Sequence, residues 1–170
     1  MTKLPQEIFK AYDIRGIVDK SLTETVTNQI GQAIGTEATL AGDRSVVIGR
    51  DGRLSGPSLA TALSEGIRST GCDVIDIGMV PTPVTYFATH HLETGSAVSI
   101  TGSHNPPEYN GLKVMIAGET LAGDRIQMLR KRIEEQDLLS GNGSHHYESV
   151  IEAYAARITG DITLQRPLKV

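Results

Sequence analysis

Short apolar runs alternate with segments of helical hydrophobic spacing along most of the chain. Residues 45–49 and 73–77 are apolar-rich runs of five residues, which is too short for a helix and typical of buried strands. Between them, Leu59, Leu63 and Ile67 recur at helical spacing after a Gly-Pro pair that suits the start of a helix. Because strands and helices alternate in this way, the pattern predicts an α/β fold with parallel strands.

Two further strands are predicted at 97–101 and 112–116, and ten residues without a helical pattern separate them. A parallel crossover needs about a dozen residues or more, so these two strands are expected to be antiparallel. The predicted fold class is therefore α/β, with about four strands in a mixed, mostly parallel sheet that helices cover on both faces. The same patterns predict an irregular stretch at 8–18, and helices that begin at the capping box Ser21–Glu24 and at Thr82. A further helix is predicted at 121–136, followed by a flexible break at 140–144 that extends to His145-His146. A last helix is predicted from four apolar residues in phase: Val150, Ile151, Tyr154 and Ile158.

Composition and charge narrow the range of functions. Lys and Arg number 16 against 20 Asp and Glu, so the net charge is −4 and no nucleic-acid partner is expected. The single Cys72 leaves no internal disulfide and no multi-cysteine metal site, and it fits a reducing compartment. No apolar run approaches the ~20 residues of a membrane span, and the N-terminal residues lack the apolar region of a signal peptide. We therefore expect a cytoplasmic protein without a membrane partner.

The main candidate for chemistry is the loop Thr101-Gly-Ser-His-Asn-Pro-Pro107, which follows a predicted strand. Open α/β sheets usually bind ligands at the carboxyl ends of their strands, where Ser103 is placed. Gly102 is interpreted as leaving room for a substrate, and the two prolines stiffen the far side of the loop. A serine in this setting suits a nucleophile or a phosphate acceptor. The alternative is an ordinary turn whose polar side chains bond to local backbone.

Two residues near this serine have a functional and a structural interpretation. His104 would contact a substrate hydroxyl or phosphate, or would be a half-solvated turn residue. A hydrolase-type pair with Ser103 is not expected, because the side chains of adjacent residues usually point apart. Arg15 suits bidentate binding of phosphate, and its alternative is a surface ion pair with Asp13.

Two further cationic positions also have both a functional and a structural interpretation. Lys113 follows Ser103 by ten residues in a predicted strand, where it either faces an anion or lies on the solvated face of an edge strand. The segment Gly49–Arg53 follows the first predicted strand. It either adds positive charge at the same end of the sheet or forms a structural Arg–Asp network. No cluster of aspartates is spaced for Mg²⁺ or Ca²⁺.

Five motifs in register resemble the α-D-phosphohexomutases, most closely the bacterial phosphomannomutase/phosphoglucomutase branch. The matching segments are Ala11–Gly16 (AYDIRG), Gly49–Arg53 (GRDGR), Gly78–Pro83 (GMVPTP), Thr101–Lys113 and Gly118–Leu121 (GETL). Members of this family have four domains around a cleft, and the chain resembles the first of them. The resemblance implies that residues 1–160 are the catalytic-serine domain. It implies that 161–170 are a linker and the start of a truncated second domain, where 167–170 read as the beginning of a strand.

The resemblance also implies roles for individual residues. Ser103 matches the serine that is phosphorylated in the active enzyme, and an oxygen of its phosphate would bind Mg²⁺ together with an Asp-rich loop of the second domain. Arg15 and Lys113 match residues that face the phosphoserine and the reacting phosphate. His104 matches a residue near the reacting sugar oxygen, and Tyr12 matches one close to the substrate cleft.

The implied reaction interconverts hexose 1-phosphate and hexose 6-phosphate, of mannose or glucose, through a 1,6-bisphosphate. Glucose or mannose 1,6-bisphosphate would be the activator, and the phosphosugar substrate would also need domains two to four, so the chain is expected to be inactive alone. Either Lys113 or His104 would move the hydroxyl proton. The alternative function is a non-catalytic α/β module that binds a phosphosugar or another anion. A serine hydrolase is disfavoured, because the Gly-x-Ser-x-Gly spacing is missing.

Overall fold

A sheet of seven strands lies at the centre of the computed structural model, which describes residues 4–163, 165, 166 and 169. In chain order the strands are β1 (Ile14–Ile17), β2 (Ser45–Arg50), β3 (Asp73–Met79), β4 (Ser96–Ile100), β5 (Tyr109–Ile116), β6 (Glu119–Thr120) and β7 (His145–Tyr147). Their order across the sheet is β1-β5-β4-β2-β3-β7, with β6 beside β5. The pairs β4-β2, β2-β3 and β3-β7 are parallel, whereas β5 is antiparallel to β1, β4 and β6. The predicted mixed sheet and its antiparallel β4-β5 pair are confirmed, but the sheet has more strands than the four expected.

Helices cover both faces of this sheet. They are α1 (Glu24–Leu40), α2 (Gly56–Arg68), α3 (Thr82–His91), α4 (Asp124–Glu135) and α5 (Ile151–Asp161). Val46 and Ile48 of β2 belong to a core cluster with apolar residues of α1, α2 and α4, whereas Val47 packs in a second cluster with residues of α3. Successive residues of β2 thus face opposite helix layers, which confirms the predicted α/β architecture. Among the described residues, no helix combines the length and apolar character that crossing a membrane requires.

The two outermost strands of the sheet depart from the sequence-based interpretation. β1 lies inside the stretch 8–18 that was expected to be irregular, because Arg15 and Gly16 interrupt its apolar pattern. It is ordered by pairing with β5, nearly a hundred residues away in sequence. β7 lies where a flexible break was expected, and all three of its side chains are exposed, so it carries no apolar signal. Both interpretations are wrong for the same reason: the order of these strands comes from a distant partner.

The segment before β7 is attached to the sheet by a carboxylate. Ser144 donates two hydrogen bonds to Oδ1 of Asp73, from its backbone nitrogen at 2.6 Å and from its hydroxyl at 2.7 Å. These donors favour the charged carboxylate and lower the pKa of Asp73. The neighbouring Cys72 is a buried free thiol, and burial raises its pKa to about 11. Cys72 is therefore a protonated core residue at neutral pH rather than a reactive thiolate.

The N-cap of the first helix lies two residues after the one that the capping box predicts. Its N-cap is Thr23, whose hydroxyl accepts a hydrogen bond from the nitrogen of Val26 at 3.2 Å. Ser21 Oγ instead accepts from the nitrogen of Ile17 at 3.0 Å and so closes the turn that follows β1. The assignment of Ser21 as N-cap is wrong.

The last predicted helix is present as α5, but its apolar residues do not share one buried face. Val150 is buried just before the helix, and Tyr154 packs against the smaller core cluster. Ile151 and Ile158 are 44% and 40% exposed. The predicted strand at 167–170 lies outside the described residues except for Lys169.

Close contact between α1 and α2 depends on glycine. A Cβ added to Gly66 of α2 would lie 2.1 Å from the carbonyl oxygen of Asn28 in α1, and a Cβ added to Gly31 would lie 2.4 Å from the carbonyl oxygen of Leu63. Both obstacles are backbone atoms, which no rotamer change can move aside. The two helix backbones therefore approach more closely than any residue with a side chain would allow at these positions.

We expect Gly66→Ala to lower the free energy of unfolding by about 2 kcal/mol or more, because the added methyl group forces the two helices apart. The measurement is urea unfolding of the chain followed by circular dichroism. Gly160→Ala in α5 is the matched control, since nothing beyond the adjacent backbone of its own helix lies within 4 Å of its added Cβ. This control should raise stability by about 0.5 kcal/mol through helix propensity. Equal stability of the Gly66 variant and the unchanged chain would contradict the close helix crossing.

Candidate functional site

The loops that follow β2 and β4 meet at one end of the sheet. These strands are parallel neighbours, so their carboxyl ends lie side by side. Directly after β2, the nitrogen of Asp51 donates a hydrogen bond to the carbonyl oxygen of Ile100, the last residue of β4, at 2.9 Å. Residues 51–55 therefore lie against residues 101–108, which contain Ser103. This is the end of the sheet at which the sequence predicts a ligand site.

Ser103 stands at the tip of its loop in a left-handed backbone conformation, with φ 52°. Its nitrogen donates to Thr101 Oγ1 at 2.9 Å. The loop is closed by Asn105, whose backbone nitrogen and Nδ2 both donate to the carbonyl oxygen of Gly102, at 3.0 and 3.1 Å. Ser103 and His104 are both exposed. The hydroxyl is thus presented to the outside on a backbone that local hydrogen bonds hold in place.

The side chain of Arg53 binds the carbonyl groups of this loop and of Tyr109, the first residue of β5. Its Nη1 donates to the carbonyl oxygens of Pro106 at 2.8 Å and Tyr109 at 3.0 Å. Its Nη2 donates to those of Asn105 at 2.6 Å and Ser103 at 3.3 Å. The segment Gly49–Arg53 therefore forms a structural network, the second of the two interpretations that the sequence left open.

Asp51 connects this guanidinium to Gly102. Its Oδ2 accepts from the nitrogen of Gly102 at 3.0 Å and lies 3.5 Å from Arg53 Nε, while its Oδ1 accepts from the nitrogen of Arg53 at 3.0 Å. A Cβ added to Gly102 would lie 2.0 Å from Arg53 Cζ. The space at Gly102 is thus filled by the guanidinium, and its interpretation as room for a substrate is wrong.

The structure brings Arg15 to the other side of the serine loop. Its Nη1 donates to the carbonyl oxygen of Gly102 at 2.8 Å. Its Nε and Nη2 donate to Oδ2 of Asp13 at 3.1 and 2.5 Å, and both side chains are 13% exposed. The ion pair with Asp13, which the sequence left open as an alternative at the surface, is therefore present but mostly buried, and the same guanidinium also contacts the loop.

Lys113 lies on the α3 face of the sheet, beside β4. Its neighbours Leu112 and Val114 belong to the larger core cluster, so Lys113 points to the opposite face. There it pairs in register with Ser99, whose Oγ lies 3.2 Å from Thr82 Oγ1 at the start of α3. Lys113 is half-buried, and within the described part of the chain its ammonium group has no hydrogen bond or ion pair. β5 has strands on both sides, so the edge-strand interpretation of Lys113 is wrong.

His104 contacts the serine that precedes it. Its Nδ1 lies 3.2 Å from Ser103 Oγ. The expectation that these adjacent side chains point apart is wrong here, because the left-handed conformation of Ser103 changes the direction of its Cβ. Tyr12 precedes β1, and its ring is 77% exposed.

Side chains of the described residues do not form a metal site. No group of three or more His, Cys, Asp or Glu side chains among them is arranged to hold a metal ion.

The sequence did not predict that Asp51 and Arg53 hold the serine loop in place. Their signal was available in part: the GRDGR motif directly follows a strand that is a parallel neighbour of β4.

Similarity to known proteins agrees with this arrangement. Residues 6–140 match the sequence model of a family described as phosphoglucomutase/phosphomannomutase, alpha/beta/alpha domain I. The phosphomannomutase/phosphoglucomutase of Pseudomonas aeruginosa is 52% identical over 167 residues, which are 98% of this chain and 36% of that protein. The phosphoglucomutase of Neisseria meningitidis serogroup B is 45% identical over 172 residues, and the match covers 100% of this chain and 37% of that protein. A crystal structure of a phosphoglucomutase/phosphomannomutase family protein from Burkholderia thailandensis has a TM-score of 0.93 at 48% identity, covering 98% of this chain and 38% of that one. The chain spans little more than a third of the length of these relatives.

We expect Ser103→Gly to raise the free energy of unfolding by about 0.5–1 kcal/mol, because glycine adopts the left-handed conformation without strain. Ala117→Gly should act in the same direction, since Ala117 has φ 49° in the turn after β5. Ser58→Gly, at an exposed position of α2, should instead lower stability by about 0.5 kcal/mol. Urea unfolding of the three variants measures these differences. If Ser103→Gly lowers stability as much as Ser58→Gly, Ser103 is not held in the left-handed conformation.

Proposed function

The chain belongs to the phosphoglucomutase/phosphomannomutase family, and on that basis we propose that it is the phosphoserine-carrying first domain of a longer hexose-phosphate mutase. The match to domain I and the fraction of the relatives' length that the chain spans support this place in a larger protein. In the proposal, residues 1–160 form the catalytic-serine domain and 161–170 begin the connection to the second domain. The partners of this domain are domains two to four of the same protein, in the cytoplasm.

The position of Ser103 is the observation that carries the proposal. Its hydroxyl is exposed at the carboxyl end of a parallel strand, on a loop that Arg53 and Arg15 hold through carbonyl groups. A turn with no function has little need of a strained residue supported by two charged networks. Phosphoryl transfer, by contrast, depends mainly on positioning and electrostatic stabilisation, for which a fixed nucleophile is suited.

The proposed reaction moves a phosphoryl group between Ser103 Oγ and the oxygens of a hexose phosphate. When phospho-Ser103 reacts with a free sugar hydroxyl, the bond between phosphorus and Oγ breaks. A bond between phosphorus and the sugar oxygen forms, the hydroxyl proton passes to a base, and Oγ takes up a proton to leave as the free serine hydroxyl. The resulting 1,6-bisphosphate reorients and returns its other phosphate to Ser103. The sum is an interconversion of 1- and 6-phosphates of mannose or glucose, and added glucose or mannose 1,6-bisphosphate would rephosphorylate a serine that had lost its phosphate.

Four other residues take roles around this serine in the proposal. The unpaired ammonium of Lys113 supplies positive charge to the transferring group. Arg15 faces the phosphoserine with the donors that Asp13 and Gly102 leave free. His104, at 3.2 Å from Ser103 Oγ, and Lys113 are the two candidates for proton transfer. Tyr12, which is exposed, is proposed as a substrate contact.

Magnesium is part of the proposal only through the phosphate. When bound, Mg²⁺ supplies positive charge to a transferring phosphoryl group. The described side chains offer no group of ligands for it, so the contribution of this chain is an oxygen of the Ser103 phosphate. Carboxylate ligands, which Mg²⁺ prefers, are then supplied by another domain.

We expect the full-length protein that contains this chain to carry one phosphoryl group on Ser103 after incubation with glucose 1,6-bisphosphate and Mg²⁺, as seen by intact-mass analysis. Ser103→Ala should remove that mass and lower mutase turnover by about 10³-fold or more. Ser58→Ala is the control, since Ser58 is exposed on α2 and should change neither result. The 170-residue chain by itself should show no turnover in the same coupled assay. Tight phosphosugar binding with no phosphate on Ser103 would favour the non-catalytic binding module instead.

We expect Lys113→Met in the full-length protein to lower kcat by about 10²–10⁴-fold, because it removes the ammonium group while keeping an apolar stem. Steady-state kinetics with glucose 1-phosphate and mannose 1-phosphate measures the change. Lys131→Met is the control, because Lys131 is exposed on α4 in an ion pair with Glu135. Loss of folding in the Lys113 variant would support a structural role for that lysine. A larger loss of kcat in His104→Gln than in Lys113→Met would assign the proton transfer to His104.

A further inference from the structure

We propose that Arg53, oriented by Asp51, is a positioning residue for Ser103, which it holds in the conformation that aims Oγ at the reacting phosphate. This inference rests on the proposed function of Ser103 as the phosphoryl carrier. The pair Asp51 and Arg53 is called the loop clamp below. Neither residue belongs to the roles assigned above to charge stabilisation, proton transfer or substrate binding.

The loop clamp fixes one of the two peptide units that flank Ser103. On the N-terminal side, the nitrogen of Ser103 donates to Thr101 Oγ1 at 2.9 Å. On the C-terminal side, the carbonyl oxygen of Ser103 accepts from Arg53 Nη2 at 3.3 Å, and the next carbonyl that Arg53 binds is that of Asn105 at 2.6 Å. With both flanking peptide units held, the φ and ψ angles of Ser103 are fixed together.

This restraint opposes an intrinsic preference of the backbone. A non-glycine residue in the left-handed region is strained, and such a conformation persists only where the surroundings enforce it. Ser103 has φ 52°. Without the carbonyl contacts of Arg53, the loop is free to relax to negative φ. The direction of the Cβ–Oγ bond would then change, and the 3.2 Å approach of Oγ to His104 Nδ1 would be lost.

Arg53 acts through the loop rather than on a phosphate, because its donors are already engaged. A guanidinium has five N–H groups. Four of them donate to the carbonyl oxygens of the loop, and Nε lies 3.5 Å from Oδ2 of Asp51. Asp51 also balances the positive charge. The four Nη donors are thus occupied by main-chain oxygens and Nε faces Asp51, which separates Arg53 from Lys113.

Only arginine supplies this set of contacts. Its planar fork presents two pairs of donors in fixed directions, whereas the ammonium of lysine is a point charge on a flexible stem. Gly102 completes the fit, because a Cβ at that position would lie 2.0 Å from Arg53 Cζ. Arg53→Lys therefore keeps the charge beside Asp51 and removes the simultaneous hold on separate carbonyl groups.

The first test is kinetic and uses the full-length protein that contains this chain. We expect Arg53→Lys to lower kcat by about 10- to 100-fold and to change KM for the hexose phosphate by less than about threefold, because the nucleophile is misdirected while the substrate contacts remain. Arg125→Lys is the matched control, since Arg125 forms an exposed ion pair with Glu119 on the surface and should leave both parameters unchanged. Asp51→Asn, which keeps an acceptor for one neighbouring N–H, should lower kcat less than Arg53→Lys.

The second test does not depend on catalysis and uses the 170-residue chain. Hydrogen exchange measured by NMR should be at least tenfold faster at the amides of Gly102 and Asn105 in Arg53→Lys than in the unchanged chain. The amides of α1 and α4 should keep their rates. Faster exchange throughout the fold would mean that Arg53 is a general stability residue and would overturn the inference.

The two tests separate the inference from the function on which it rests. An unchanged protein that neither carries phosphate on Ser103 nor transfers it would refute the proposed function, and the exchange rates would still report whether Arg53 holds the loop. An active protein whose kcat is unaffected by Arg53→Lys would overturn the inference alone. An equal loss through KM, with kcat preserved, would overturn it as well, because Arg53 would then be binding substrate.

Discussion

Residues 101–108 join two antiparallel neighbours, β4 and β5, and this short connection constrains everything around it. The chain must reverse direction within these residues, and its carbonyl groups are satisfied partly inside the loop, by Asn105, and partly by partners from elsewhere. Those partners are arginine side chains from β1 and from the loop after β2. The positions of β1 beside β5 and of β2 beside β4 thus become necessary for the loop, and the sheet order serves the site as well as the core.

Gly102 is the point at which the two arginine networks meet. Its nitrogen donates to Asp51, which accompanies Arg53, and its carbonyl oxygen accepts from Arg15, which is paired with Asp13. Each arginine carries its own carboxylate, so the loop is held by strong donors without a large positive charge at its base. The ammonium of Lys113, by contrast, has no ion pair among the described residues.

The sequence patterns predicted the strands that carry an apolar signal of their own, and missed the strands that form only by pairing with a strand distant in sequence. β2, β3, β4 and β5 carry apolar residues on both faces, so their runs are visible in the sequence. β1, with Arg15 and Gly16 in its short length, becomes a strand only through β5. The candidate serine was visible from its motif, whereas the contacts of Arg53 were not. Backbone carbonyl groups accept those hydrogen bonds, and every residue has a carbonyl, so no residue type marks the partners.

The left-handed backbone at Ser103 also limits which amino acid can supply a hydroxyl there. Threonine carries the same functional group, but its branched Cβ crowds the neighbouring carbonyl groups when φ is positive, and a branched residue in that region is a true outlier. Tyrosine would carry its hydroxyl several ångströms beyond the tip. The geometry of the turn therefore favours serine over the other hydroxyl-bearing residues at this position.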